Sequence, residues 1–423
     1  TYDDKYVLSG SIRWDRSNLW GTNSKYQNKP LWSVGGSWNI YKEKFFQADF
    51  VDMLKLRASY GIGGNIGRNT APYLIASYYD SSLVDGMAGS VNTPPNKDIR
   101  WEKTTTVNVG VDFALFRHRL SGTIEYYNKY SVDLLAAING SPTQGFGYTT
   151  LMTNNGKMVN RGVEITLSGE IIRQKDFSWN ASLLYAFNRN KVKHISVQPS
   201  LWDSRISMPT SYPMVGKPLY GIYAYKWAGL NENGDPQVYD AENNVTSGPA
   251  RDYHALVYCG TTVPIHNASL TNVLRYKGFE FSAMLILDAG HKLRSSNIPS
   301  INMSNGRITS TAKGIVDRWT QPGDVTDVPR LLFSNDTENF NTHRTELYRY
   351  SDLFVYDASN IRLSNISLAY RVPAHWCKKI SLSGARLQFN VENVATFAFD
   401  SKANYDLGGK VKPNYVWGLY LNF

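Results

Sequence analysis

Apolar and polar residues alternate along much of the chain. In the first such segment Tyr6, Leu8, Gly10, Ile12 and Trp14 share one parity, while Ser9, Ser11, Arg13 and Asp15 share the other. Successive side chains of a strand point to opposite faces, so this period of two predicts a pleated strand with one apolar face. The pattern returns in Trp32, Val34, Trp38 and Ile40; in Leu54, Leu56, Ala58, Tyr60 and Ile62; and in Val107, Val109, Val111 and Phe113, set against Asn108 and Asp112. It continues through Leu120, Ile124 and Tyr126, through Val163, Ile165 and Leu167, and through Phe177, Trp179, Leu183, Tyr185 and Phe187. Later segments run from Leu270 to Tyr276, Phe279 to Leu287, Ile361 to Tyr370 and Leu387 to Val391, and end with Trp417, Leu419, Leu421 and Phe423. These amount to about twelve candidate spanning strands.

The links between them are alternately short and long. Phe116 to Arg119, Arg173 to Asp176, Lys277-Gly278 and Arg371 to Lys379 are short, with a somewhat longer one at Tyr41 to Asp52. Arg16 to Pro30, Gly63 to Lys103, Lys129 to Asn160, Asn188 to Asn267, Gly290 to Ala358 and Asn393 to Asn414 are long. Bacterial outer-membrane barrels have this sidedness, with tight periplasmic turns and extended outer loops. With Phe423 in the periplasm every long link falls outside, provided that Leu219 to Leu230 is not a lone spanning strand. Pro218 to Gly229 is therefore read as a hairpin arm of an outer loop, or as one of a pair of strands. A soluble sandwich or propeller would show more uniform links or a repeat of fixed period, and neither is seen.

Composition sharpens this reading. Aromatic residues make up 13% of the chain, with 28 Tyr and 11 Trp, a supply of amphipathic rings that suits a membrane interface. Apolar runs such as Leu134 to Ile138 and Ala283 to Leu287 fall far short of the ~18 residues a membrane helix needs, so a helical membrane protein is excluded and a closed barrel is not. The net charge of +10 is spread along the chain with no run of five or more basic residues, which argues for solvated surface charge and against a nucleic-acid partner. Cys259 and Cys377 sit in no metal-ligand spacing and are two free thiols or one disulfide. A start at Thr1-Tyr2-Asp3-Asp4-Lys5, without Met or a leader pattern, reads as a mature or truncated product.

Candidate chemistry is sparse. The chain has no Gly-x-Ser-x-Gly, His-Glu-x-x-His or Gly-Lys-Ser/Thr motif, so no enzyme and no cofactor are expected. Gly61-Ile62-Gly63-Gly64-Asn65 is better read as a strand entering an outer loop than as a nucleotide loop. Asn231, Asn233, Asp235 and Glu242 have the oxygen spacing of a calcium loop, but Pro236 stands where such a loop needs Gly. An ordinary Asn-Gly-Asp turn is the stronger reading there, and a loosely held Ca²⁺ the weaker. Arg318, Trp319 and Arg330, in the long link Gly290 to Ala358, could stack on or hydrogen-bond a ligand or a covering partner, with packing of the loop itself at least as good an explanation.

Several of these segments, in order, resemble the SusC/RagA group of TonB-dependent transporters. Tyr2-Asp3-Asp4-Lys5-Tyr6-Val7-Leu8 with Arg13-Trp14-Asp15 is similar to a mid-barrel turn and strand of that group, and Leu54-Lys55-Leu56-Arg57-Ala58-Ser59-Tyr60-Gly61 to another of its signatures. Gly162-Val163-Glu164, Tyr220 to Gly234 with Asp235-Pro236, Asp317-Arg318-Trp319 with Pro329-Arg330, and Ile361 to Leu368 also match in order. The resemblance implies an all-β transmembrane barrel of about 22 strands, of which residues 1–423 would supply about twelve C-terminal ones. It also implies an outer-membrane location, a SusD-like surface lipoprotein over the outer loops, and a complementary chain carrying the plug and the remaining strands. Energy would come from the TonB-ExbB-ExbD complex, and the cargo would be an oligomeric glycan or peptide. A passive porin and a surface receptor or adhesin are the alternatives. Outer-membrane proteins of this kind end in an aromatic residue, which gives Trp417, Leu419, Leu421 and Phe423 the part of a barrel-assembly signal.

Overall fold

The computed structural model describes residues 1–423 apart from 16, 18–20, 27–28, 68–71, 84–85, 140–142, 144–149, 200–203, 249–251, 304–310, 334–341 and 409–411. One antiparallel sheet of twelve strands dominates it. The strands are β1 (Tyr6–Arg13), β2 (Leu31–Asn39), β3 (Val51–Asn65), β4 (Glu102–Leu115), β5 (Leu120–Asn139), β6 (Thr150–Arg173), β7 (Phe177–His194), β8 (His266–Tyr276), β9 (Phe279–Ala289), β10 (Asn360–Arg371), β11 (Gly384–Ala398) and β12 (Asn414–Asn422). Each pairs with its neighbour in sequence, and each contains one of the twelve alternating segments.

Register turns the alternation into two distinct surfaces. Directly opposed residues join Tyr6, Trp38, Leu56, Val111, Ile124, Ile165 and Tyr185 into one apolar row across seven strands. A one-residue slip at any pairing would move that strand's apolar set to the other face, so the row fixes the register of the whole wall. The opposite face is polar. On it Arg57 donates to Asp112 at 2.9 Å and pairs with Glu125, while Thr123 donates to Asp112 at 2.9 Å. Gly110 lies between them, where a Cβ would come 3.1 Å from the Arg57 guanidinium. Greasy outside and polar inside is the arrangement of a barrel wall in lipid.

Short links close with little chain. Lys277 takes a positive φ of 52° ahead of Gly278, the conformation a two-residue hairpin requires. Asp3 and Asp4, both at φ 48°, make a similar tight turn ahead of β1. All six long links lie at the other end of the wall, as the antiparallel order demands. One of them differs from expectation. Lys129 to Asn160 is largely strand, because β5 runs on to Asn139 and β6 begins at Thr150, with Lys129 opposite Asn160. The continuous apolar run Leu134 to Ile138 hid this, as did the register shifts around Asp133, whose φ is 57°. β1 and β12 stand at the two ends of the strand order and are not paired with each other, so the described residues do not close a barrel by themselves.

The dry core lies outside the wall. Tyr223, Tyr225, Val238, Ala255, Leu256 and Leu347 form one buried cluster, and Ile301, Tyr348 and Phe354 another, all of them within the long links after β7 and β9. Wall residues such as Leu8 and Trp417 are instead 79% exposed, as side chains meant for lipid are.

Candidate functional site

The two longest outer links fold onto each other. In the link after β7, Gly221–Tyr225 pairs with Leu256–Thr261, and Trp227–Leu230 pairs with Pro236–Tyr239. Pro218 to Gly229 thus stays outside the wall and supplies strands to two separate small sheets of the outer loop, more than the single arm its sequence suggested. In the link after β9, Lys292–Arg294 pairs with Val355–Asp357, and a helix spans Thr342–Arg349. All five residues of Gly221–Tyr225 are buried, which hides the period-two signature of that strand.

A polar node fastens these links together. Asp235 accepts two hydrogen bonds from Arg330, at 3.0 and 2.8 Å, and a third from Arg344 at 2.7 Å. Arg344 is buried, and its remaining donors reach the Asn302 side chain at 2.6 Å and the Arg330 carbonyl at 2.8 Å. A guanidinium can leave water only when a carboxylate and fixed acceptors replace its hydration, and Asp235 with these carbonyls does so. Nearby, Trp227 donates its backbone N–H to Asp352 and its indole N–H to Asp327, both at 2.9 Å. The last outer link joins through Asp406, which accepts from the hydroxyls of Ser295 and Ser296 at 2.7 and 2.6 Å. Arg294 donates to the carbonyls of Tyr223, Arg349 and Ser351, and burial lowers its pKa from the ordinary arginine value.

The candidates from sequence distribute unevenly over this body. Arg330 belongs to the node, and its backbone N–H also donates to the Gly234 carbonyl at 3.0 Å. Trp319 packs against Gly234, which has a φ of +73° and leaves no room for a Cβ beside the indole. Among the described residues, the Arg318 side chain reaches the Ile315 carbonyl, at 3.4 Å. Asn231 accepts from the backbone N–H groups of Asn233 and Asp235 at 3.0 and 2.8 Å, the geometry of an Asx turn. The carboxylate of Asp235 faces two guanidiniums and Glu242 lies in the neighbouring Asp240 turn, so these oxygens do not converge as a calcium loop would. Trp417, Leu419 and Leu421 share the apolar face of β12, opposite Phe389, Leu387 and Ala385, and Phe423 follows at its end. Sequence reasoning missed Arg344, Arg294 and Asp406, since no local motif marks partners that lie 55 to 111 residues away.

A separate cleft of about 260 Å³ opens beside the first outer links. Tyr26, Trp32, Trp101 and Arg100 line it, with Arg100 stacked 4.6 Å from the Tyr26 ring centre and paired to Asp133 at 2.7 Å. Aromatic faces beside a fixed ion pair can grip a sugar ring or a peptide side chain.

A family model described as TonB dependent receptor-like, beta-barrel, matches residues 1–394. The chain belongs to this family. Like other TonB-dependent receptor barrels it is a protein of the outer membrane. It is 27% identical to TonB-dependent receptor P3 of Formosa agariphila, a match covering 99% of this chain and 42% of that relative. It is 25% identical to TonB-dependent receptor SusC of Bacteroides thetaiotaomicron, over 92% of this chain and 39% of the relative. The solved structure of the RagAB peptide transporter superposes on all of this chain with a TM-score of 0.78 at 23% identity, and the match covers 46% of that transporter chain. The TonB-dependent receptor barrel described here therefore spans less than half the length of the relatives it matches.

Proposed function

We propose that the whole protein imports an oligomeric nutrient, glycan or peptide, across the outer membrane. This chain supplies twelve strands of the wall and the outer loops that meet the cargo. A SusD-like lipoprotein covers those loops, a plug and further strands complete the barrel, and the TonB-ExbB-ExbD complex supplies the energy. Catalysis has no part in this reading. The observation that carries it is the docking of two long outer loops into one body with its own core, standing over a polar-lined wall. Binding surfaces are commonly built on loops held by a rigid scaffold, and loops this long are otherwise uncommon in compact proteins. The aromatic cleft at Tyr26 and Trp101 supports a cargo with flat or ring-shaped groups.

The test shortens the segment between Lys313 and Phe333 in the whole transporter. Growth on defined oligosaccharides and peptides as sole nutrients should fail, and a surface lipoprotein should no longer co-purify, while the barrel still inserts. Unchanged growth and unchanged lipoprotein capture would overturn the reading. A large steady conductance of the intact protein in planar bilayers would replace it with a passive porin.

A further inference from the structure

Just beyond the apolar belt the wall carries basic residues that have no acidic partner among the described residues. Val163 and Phe187 are directly opposed on β6 and β7, one step beyond Ile165 and Tyr185 on the same outward apolar face. Two residues further along each strand, Arg161 and Arg189 are directly opposed, on the same outward face and about 7 Å beyond the belt. Like charges set opposite each other on neighbouring strands repel. Neither forms an ion pair among the described residues, and Arg161 donates to the Asn128 side chain at 2.9 Å. Glu164 is on the opposite face of β6 from Arg161 and cannot neutralise it.

Beside Arg189 the wall opens into a cleft of about 370 Å³. Arg189, Lys191, Lys217, Tyr258 and Thr261 contribute to its lining, and among the described residues no Asp or Glu does. Lys217 lies 4.8 Å from the Tyr258 ring centre, and Arg189 is close enough to act electrostatically on the Tyr258 hydroxyl. The floor is rigid, because Gly216 and Lys217 hydrogen-bond the backbone of Val192 and Asn190 accepts from the Leu219 N–H at 2.7 Å. Three cations without an ion-pair partner among the described residues thus converge with a phenol and a hydroxyl where the outward face of the wall leaves the hydrocarbon.

We propose that this rim site binds the phosphate-bearing headgroup of an outer-leaflet glycolipid. Depth and face select that ligand. Arg161, Arg189 and Lys191 continue the outward face that carries Val163 and Phe187, opposite the polar inner face of the wall. A lipid seated with its chains on that apolar row brings its headgroup to the cations. The proposal is independent of the cargo reading, since it needs only the outer-membrane placement and the register.

The test uses the whole transporter in nanodiscs of neutral phospholipid, doped with lipid A or with the same lipid A stripped of phosphate. Phosphorylated lipid A should raise the thermal midpoint and co-purify with the protein, and the stripped lipid should do neither. In the triple variant Arg189→Gln, Lys191→Gln, Lys217→Gln, capture should weaken by at least about tenfold, since each basic residue at an anionic surface adds appreciably to binding. Inorganic phosphate alone should give no shift, because the chains supply part of the affinity. Equal capture of the two lipids, or full capture by the triple variant, would overturn the proposal. So would a triple variant that keeps lipid capture but loses uptake of its nutrient, which would assign the cleft to the cargo. Barrel insertion, checked by heat-modifiable gel migration, confirms that the variant is folded.

Discussion

Arg344 donates from Nε to Asp235 at 2.7 Å across 109 residues of chain, with the guanidinium almost wholly buried. This bond joins the links after β7 and β9, and the docked loop body depends on it. Asp235→Ala removes the carboxylate that Arg330 and Arg344 share, and breaking a buried pair by removing one member costs about 3–5 kcal/mol. Hydrogen exchange should show Thr342–Arg349 and Pro236–Tyr239 losing protection while the wall strands keep theirs. Equal protection in wild type and variant would show that the node does not hold the links together.

Gly234 is the second place where the links meet. Its φ of +73° and the Trp319 ring 2.4 Å from any added Cβ make Gly234→Ala doubly unfavourable. The backbone contribution is about 1–2 kcal/mol, and crowding of the indole adds about 1–3 kcal/mol. Adding Trp319→Ala to the variant should recover the second share and not the first. A double-variant cycle with no coupling would show that the indole does not press on this turn.

His291 lies at the base of the link after β9. It is buried with no partner for Nδ1 among the described residues, and burial lowers its pKa below the ordinary 6.5. The undocked link therefore takes up a proton before the docked one does. Docking is at full strength above about pH 6.5 and weakens as pH falls from that value toward the lower pKa of the docked state. Asp357 behaves oppositely in range. Burial raises its pKa, but the Ser359 hydroxyl and amide and the Lys292 ammonium outweigh that and hold it at about 2, so its contacts last until far more acid conditions. The protection of Lys292–Arg294 against hydrogen exchange, relative to the intrinsic rate at each pH, should fall between pH 7 and pH 5 in wild type and not in His291→Phe. An identical pH response in the variant would remove His291 as the cause.

Phe423 is 93% exposed, and its carbonyl accepts from the Ser383 hydroxyl at 3.2 Å. Truncating it leaves every described wall pairing intact, so the folded barrel should be little changed. Its yield in the outer membrane should nevertheless fall, and transport per inserted molecule should stay constant. Normal membrane yield of the truncated protein would argue against a part in assembly for this residue.

The wall was legible because lipid imposes a strict rule on it. Tyr6, Trp38, Leu56 and Val111 each had to face outward, and period two recorded that in the sequence. The loop body obeys no such rule. Gly221–Tyr225 is buried on both faces and reads as an unbroken run, and Asp235 finds Arg330 and Arg344 95 and 109 residues away, where no spacing could point to them. Arg318, Trp319 and Arg330 drew notice as possible ligand contacts, and two of the three turn out to knit the loops to each other.

Each wall strand finds its partner immediately before or after it in the chain, however long the intervening link. Joining two ends through eighty residues instead of four costs only about 2–3 kcal/mol more in chain entropy. The ladder between β7 and β8, eleven residue pairs long, outweighs that easily. Assembly of the wall is therefore nearly indifferent to what is inserted at its outer end. An eighty-residue insert can drift in sequence, gain its own core or exchange one ligand for another without disturbing how the strands below it zip together. Outward variety and inward constancy can be inherited separately in one polypeptide.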